Sequence, residues 1–132
     1  MAVLPCAAKA YPVNTVEIVN TGNAASEIVT VSGGGLSNTD VYAGVYTLDK
    51  TGDAGEGKFW PNGTVNAFCT ELSEAVPEVT TKYNVIGLEE GPLSAAMGGE
   101  KAGYVSELWG RYFDPSWTGS GSFTWLQNAQ AA

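Results

Sequence analysis

The chain has 132 residues, enough for one domain with a hydrophobic core, and 44% of them are apolar, as in globular proteins. Six Lys and Arg stand against fourteen Asp and Glu, which gives a formal charge of −8. Such a surface repels nucleic acid and anionic membranes, and no basic cluster offsets it. Histidine is absent, so a Cys–His catalytic dyad is excluded. No apolar run reaches the roughly 18 residues of a membrane-spanning helix.

Residues 1–12 are predicted to be a flexible N-terminal segment or the remnant of a signal, since they lack the basic start of a whole one. Residues 13–132 are predicted to form a single β-rich domain. The two cysteines are Cys6 and Cys69. A disulfide between them would stabilise the fold by about 4 kcal/mol, but the sequence does not determine whether their Cα atoms come close enough. The preferred interpretation is two thiols, or one thiol and one cysteine in a disordered tail.

Five segments have the β-branched, alternating pattern of strands. They are residues 13–20, 28–31, 41–48, 64–72 and 79–86. Turns are predicted at residues 20–23 and at the three glycines 33–35. Pro61-Asn62-Gly63 predicts a tight hairpin that pairs residues 58–60 with the strand that follows.

An acidic, glycine-rich stretch lies between the third and fourth strands. Asp49, Asp53 and Glu56 are candidate calcium ligands, because hard cations prefer carboxylate oxygens. Their spacing does not match a twelve-residue calcium loop, however, and Asp and Gly are common turn residues. A solvated hairpin loop is therefore the favoured interpretation, and neither a metal nor a cofactor is predicted.

Two helices are predicted near the C-terminus. Ala102, Val105, Leu108, Trp109 and Tyr112 share one helical face over residues 100–112. Residues 125–132 are predicted to form the second helix. A capping pair, Thr124 with Gln127, begins it. It has no stop signal, so we expect it to be either truncated or completed by a partner.

The predicted fold is mainly β, a sandwich or partly open barrel with one or two packed helices. Its predicted core consists of Val16, Ile18, Val29, Val31, Val45, Phe68, Leu72, Tyr83, Val85, Val105, Leu108 and Trp109.

Three segments resemble a known family when taken together: VYAGVY at 41–46, NAFCTEL at 66–72 and VSELWGRYF at 105–113. They are similar to the thioester-domain-like region of bacterial surface proteins, especially those exported with a PEP-CTERM sorting tail. That family pairs a strand carrying Phe-Cys-x-Asp/Glu-Leu with a helix of the Leu-Trp-x-x-Tyr type. The resemblance covers about residue 32 to the end of the chain.

The resemblance implies an intramolecular thioester between a cysteine and a glutamine, a latent electrophile for covalent attachment. Cys69 matches the family cysteine, Gln130 is the nearest glutamine candidate and Gln127 the next. The implied function is extracellular or cell-surface adhesion or matrix structure rather than enzymatic turnover. The implied partner is a molecule on a host or neighbouring cell, with no nucleic acid and no membrane insertion.

Other functions stay open at the level of sequence. The apolar first thirty residues and the unfinished last helix also fit a self-assembling subunit of a surface filament, completed by copies of itself. A carbohydrate-binding β-sandwich would use Trp60 and Trp117 as stacking platforms. A hydrolase is the least favoured, because the adjacent acids carry no supporting motif.

Overall fold

The structure is a computed structural model that describes residues 13–33, 35–70, 76, 78–92 and 95–132. In this part of the chain, four antiparallel strands form one sheet in the order β3-β2-β1-β4, which is not closed into a barrel. The strands are β1 (Thr15–Gly33), β2 (Leu36–Ala54), β3 (Gly63–Ala67) and β4 (Thr81–Asn84). The helices are α1 (Gly98–Tyr112) and α2 (Trp125–Ala131). The predicted mainly β class with two helices is confirmed; the N-terminal segment 1–12 lies outside the described residues.

The sheet is built on the long hairpin of β1 and β2. The predicted turn at residues 20–23 is wrong, because β1 runs through it with register shifts between Asn20 and Gly22 and between Asn23 and Ser26. β-Bulges place extra residues in one strand without reversing it, so turn-like residues fit inside a strand. The hairpin reverses instead after Gly33, within the predicted glycine turn.

The hairpin predicted across Pro61-Asn62-Gly63 is also wrong, because residues 58–60 are not the partner of β3. Residues Gly55–Phe59 form a 3₁₀ turn, and β3 pairs with β2, with Val65 opposite Leu48. β3 pairs with β2 because this long strand offers more backbone hydrogen bonds than a three-residue strand would. β3 ends at Ala67, so residues 68–70 follow it as irregular chain rather than as part of the predicted strand.

The helices form where the sequence predicts them. At the start of α2, the Gln127 backbone N–H donates to Thr124 Oγ1 at 3.2 Å, and the Thr124 N–H donates to Gln127 Oε1 at 2.9 Å. This reciprocal pair satisfies two backbone donors and confirms the predicted cap.

The principal core lies where the bulge in β1 meets α2. It consists of Ala24, Ala25, Val45, Trp117 and Ala131, with Phe68, Phe113 and Phe123 packed around it. Asn128 on α2 accepts a hydrogen bond from the Ser26 backbone N–H at 3.2 Å, which fixes the helix on the bulge. Small alanines at the bulge therefore let a helix approach the sheet closely.

Only part of the predicted core is buried. Val16 and Val45 are buried as predicted, whereas Leu108 is 59% and Trp109 38% exposed. The predicted core is wrong for α1, because its apolar stripe faces a groove rather than the sheet. Val105 of the predicted core is also exposed, and Leu72 lies outside the described residues. The remaining members of the predicted core are half-buried: Ile18, Val29, Val31, Phe68, Tyr83 and Val85.

Candidate functional site

An open groove of about 800 Å³ separates α1 from the segment after β3 and the C-terminal end of α2. We call it the aromatic groove, after Phe68, Trp109, Phe113 and Trp117, which line it. It is the strongest candidate site in the described part of the chain, because a concave, mostly apolar surface with few polar groups is typical of binding sites.

A ladder of rings forms the wall of the aromatic groove. Trp109 meets Phe68 edge to face at 4.4 Å between ring centroids and stacks on Phe113 at 4.4 Å with an interplanar angle of 7°. Phe113 then meets Trp117 edge to face at 6.2 Å. Trp109 and Phe113 are four residues apart, so the end of α1 presents both on one side. The ladder thus connects the exit of β3, α1 and the core.

Cys69 lies directly after Phe68 at the edge of the aromatic groove. Its side chain is exposed, and it lines the groove. Burial raises the pKa of the nearby Tyr46 phenol above its ordinary 10.0, and the negative charge of a Cys69 thiolate raises it further. Cys69 is therefore within electrostatic range of Tyr46, which pairs with Ala67 at the end of β3. The exposed Cys69 side chain is also accessible to reagents from solution.

The two candidate glutamines have different environments. Gln130 lines the aromatic groove together with Cys69. Gln127 caps α2, and its Nε2 donates to the Ser116 carbonyl oxygen at 3.1 Å. The structure thus brings Cys69 and Gln130 to one groove and leaves Gln127 in a structural role.

The candidate calcium ligands do not converge. Asp53 pairs with Lys50, Glu56 hydrogen-bonds Asn14, and Asp49 lies in the β2 ladder opposite Thr64. Among the described residues, no group of three or more His, Cys, Asp or Glu side chains is placed to hold a metal ion.

The two candidate stacking residues also differ. Trp60 is 49% exposed and lies outside the aromatic groove, whereas Trp117 is only 6% exposed. The Trp117 Nε1–H is buried without a hydrogen-bond partner in the described structure. Trp117 therefore belongs to the core side of the groove and offers no open ring face.

The sequence analysis missed a polar cluster on the other end of the sheet. Lys50 is 1% exposed, and its Nζ lies 2.5 Å from Asp53 Oδ2 and 2.7 Å from Asn62 Oδ1. The signal was the two-residue period of β2, which places Lys50 on the same face as buried Leu48. This signal was missed because residues 49–57 were interpreted as a solvated loop, whereas β2 continues to Ala54.

Neither helix in the described part of the chain has the length and apolar character needed to cross a bilayer. No protein-family model matches the chain, and no curated protein or solved structure is similar to it.

Proposed function

We propose that this protein is an extracellular surface-attachment domain, in which Cys69 and Gln130 form a thioester that acylates a partner. One observation carries the proposal: these two side chains, distant in sequence, line the same aromatic groove. Groups held close together react as if at very high concentration, so a strong base is not required.

The bond-forming step is balanced within the two side chains. Cys69 Sγ attacks Gln130 Cδ, the S–C bond forms, and the Cδ–Nε2 bond breaks. The thiol proton moves to the departing nitrogen, which leaves as ammonia. An amine on the target then attacks the same carbon, forms an amide and returns the Cys69 thiol.

The aromatic walls support this chemistry. Phe68 and Trp109, whose rings meet edge to face at 4.4 Å, supply an apolar wall of the groove that Cys69 also lines. The open side of the groove admits a side chain of the target. A lysine amine on a surface molecule of another cell is the partner of matching chemistry, and the negative protein charge attracts it.

Intact-mass spectrometry tests the proposal with four proteins: wild type, Cys69→Ala, Gln130→Ala and the matched control Gln127→Ala. After correction for each substitution, we expect wild type and Gln127→Ala to be lighter by one ammonia than the other two variants. Methylamine should add to wild type, and Cys69 should become open to iodoacetamide only after that treatment. Immediate alkylation of Cys69 in untreated wild type would refute the thioester.

A self-assembling surface subunit is the second candidate, and the exposed apolar side chains of the helices favour it. Leu108 and Tyr112 on α1, and Trp125 on α2, are all more than half exposed. Leu108 and Tyr112 both line the aromatic groove, and large exposed apolar side chains in one region are typical of contact surfaces between proteins. Sedimentation velocity over a range of concentrations tests this candidate: we expect oligomers that Leu108→Glu dissociates, and a monomer at every concentration would eliminate it.

A further inference from the structure

Lys50 has an unusual environment for a lysine. Its side chain has no exposed surface, although lysine is almost never fully buried without a partner. It lies on β2 between Ile18 of β1 and Gly63 of β3 in the sheet register. Its ammonium is thus enclosed by protein near the point where the chain enters β3.

Two different functional groups meet the Lys50 nitrogen. Asp53 Oδ2 is 2.5 Å and Asn62 Oδ1 is 2.7 Å from Nζ. Because a carbonyl bond is about 1.2 Å long, Asn62 Cγ lies about 3–4 Å from the same nitrogen. This approaches the roughly 3–3.5 Å separation of reacting atoms from which bonds form.

We propose that Lys50 and Asn62 form an intramolecular isopeptide bond, with Asp53 as the proton carrier. This is a second cross-link, separate from the aromatic groove and independent of the function proposed above. Lysine supplies the nucleophile, the asparagine carboxamide supplies the acyl group, and the carboxylate is close enough to accept a proton from the ammonium.

The reaction balances without any further reactant. Asp53 takes one proton from the Lys50 ammonium, and the neutral Nζ attacks Asn62 Cγ. The Nζ–Cγ bond forms, the Cγ–Nδ2 bond breaks, and Nδ2 leaves as ammonia after taking a second proton from Nζ. The third proton of the original ammonium stays on the new amide, and the proton on Asp53 returns to solution or leaves with the ammonia.

Burial favours the amide over the ion pair. A buried charge keeps a desolvation cost that its partner offsets only in part, and Asp53 is itself 29% exposed at its side chain. Amide formation removes the lysine charge from the sheet. The bond would connect β2 covalently to the turn that leads into β3, so that the edge strand could not separate from β2 at this point.

Peptide mapping of the full-length folded protein tests the proposal after denaturation and reduction. An amidated Lys50 is not cleaved by trypsin, so residues 10–58 stay together and remain joined to residues 59–82. We expect this branched peptide to lack one ammonia, and to persist in Cys69→Ala and after methylamine treatment. That persistence distinguishes the isopeptide from the thioester, since either bond can be present without the other.

Variants locate the atoms of the bond. Asn62→Ala should restore cleavage after Lys50, and Asp53→Asn should slow cross-linking of freshly refolded protein at least tenfold. Asn84→Ala, an exposed asparagine on the opposite edge strand, is the matched control and should leave the branched peptide intact. Complete cleavage after Lys50 in wild type would overturn the proposal. Loss of water instead of ammonia within residues 10–58 would also overturn it, because Asp53 would then be the acyl donor.

Discussion

Trp109 is the residue on which the aromatic groove depends, and Trp109→Ala is the most informative perturbation of it. The indole makes two ring contacts, one with Phe68 and one with Phe113, both at 4.4 Å. Each such pair contributes about 0.5–1.5 kcal/mol beyond the burial of area. Fully buried tryptophans lose about 3–5 kcal/mol on truncation to alanine. Because Trp109 is 38% exposed, we expect a loss of about 2–4 kcal/mol in the free energy of unfolding.

Leu108→Ala is the matched control, on the same helix and also lining the groove. Leu108 is 59% exposed, so its truncation should cost about 1 kcal/mol or less. Urea denaturation followed by far-ultraviolet circular dichroism measures both variants, since the helix signal does not depend on the removed indole. Equal losses in the free energy of unfolding for Trp109→Ala and Leu108→Ala would show that the ring ladder does not hold α1 in place. That result would refute the described geometry of the groove.

Two further predictions concern the sheet and the cysteine. Gly44→Ala should lower the free energy of unfolding by about 3 kcal/mol, since a positive φ costs about 1–3 kcal/mol and the new Cβ would also lie 2.6 Å from Ser26 Cα. Gly22 has a similar φ but open space around it, so Gly22→Ala should lose only the free energy due to backbone strain. Equal losses for the two variants in urea denaturation would contradict the close approach of Gly44 to Ser26. The raised pKa of Tyr46 stabilises the fold fully below pH 10.0, and this contribution is lost as the pH rises through the folded-state pKa. Tyr46→Phe should therefore weaken the alkaline fall in stability. After methylamine has released the Cys69 thiol, Cys69→Ala should lower the Tyr46 pKa relative to wild type in an ultraviolet phenolate titration; an unchanged pKa would exclude the charge interaction.

The helices and the strand-forming segments were predictable because their signals are local. The apolar period over residues 100–112 predicts α1, and the pair Thr124 and Gln127 predicts the start of α2. Capping, glycine turns and side-chain periodicity involve residues within a few positions of one another. Cys69 and Gln130 are thioester candidates because of the family resemblance. That both line one groove depends on the fold and is not visible in the sequence.

The sequence by itself determined a mainly β chain with two C-terminal helices, no histidine chemistry and a strongly acidic surface. Tertiary structure alone decided that β1 continues through residues 20–23, that β3 pairs with β2, and that the apolar face of α1 lines a groove. It also decided that Lys50, on the central strand β2, is buried beside Asp53 and Asn62. The physical reason is that strand pairing and burial depend on contacts between residues far apart in the chain, whereas period and turn chemistry report only a residue's immediate neighbours.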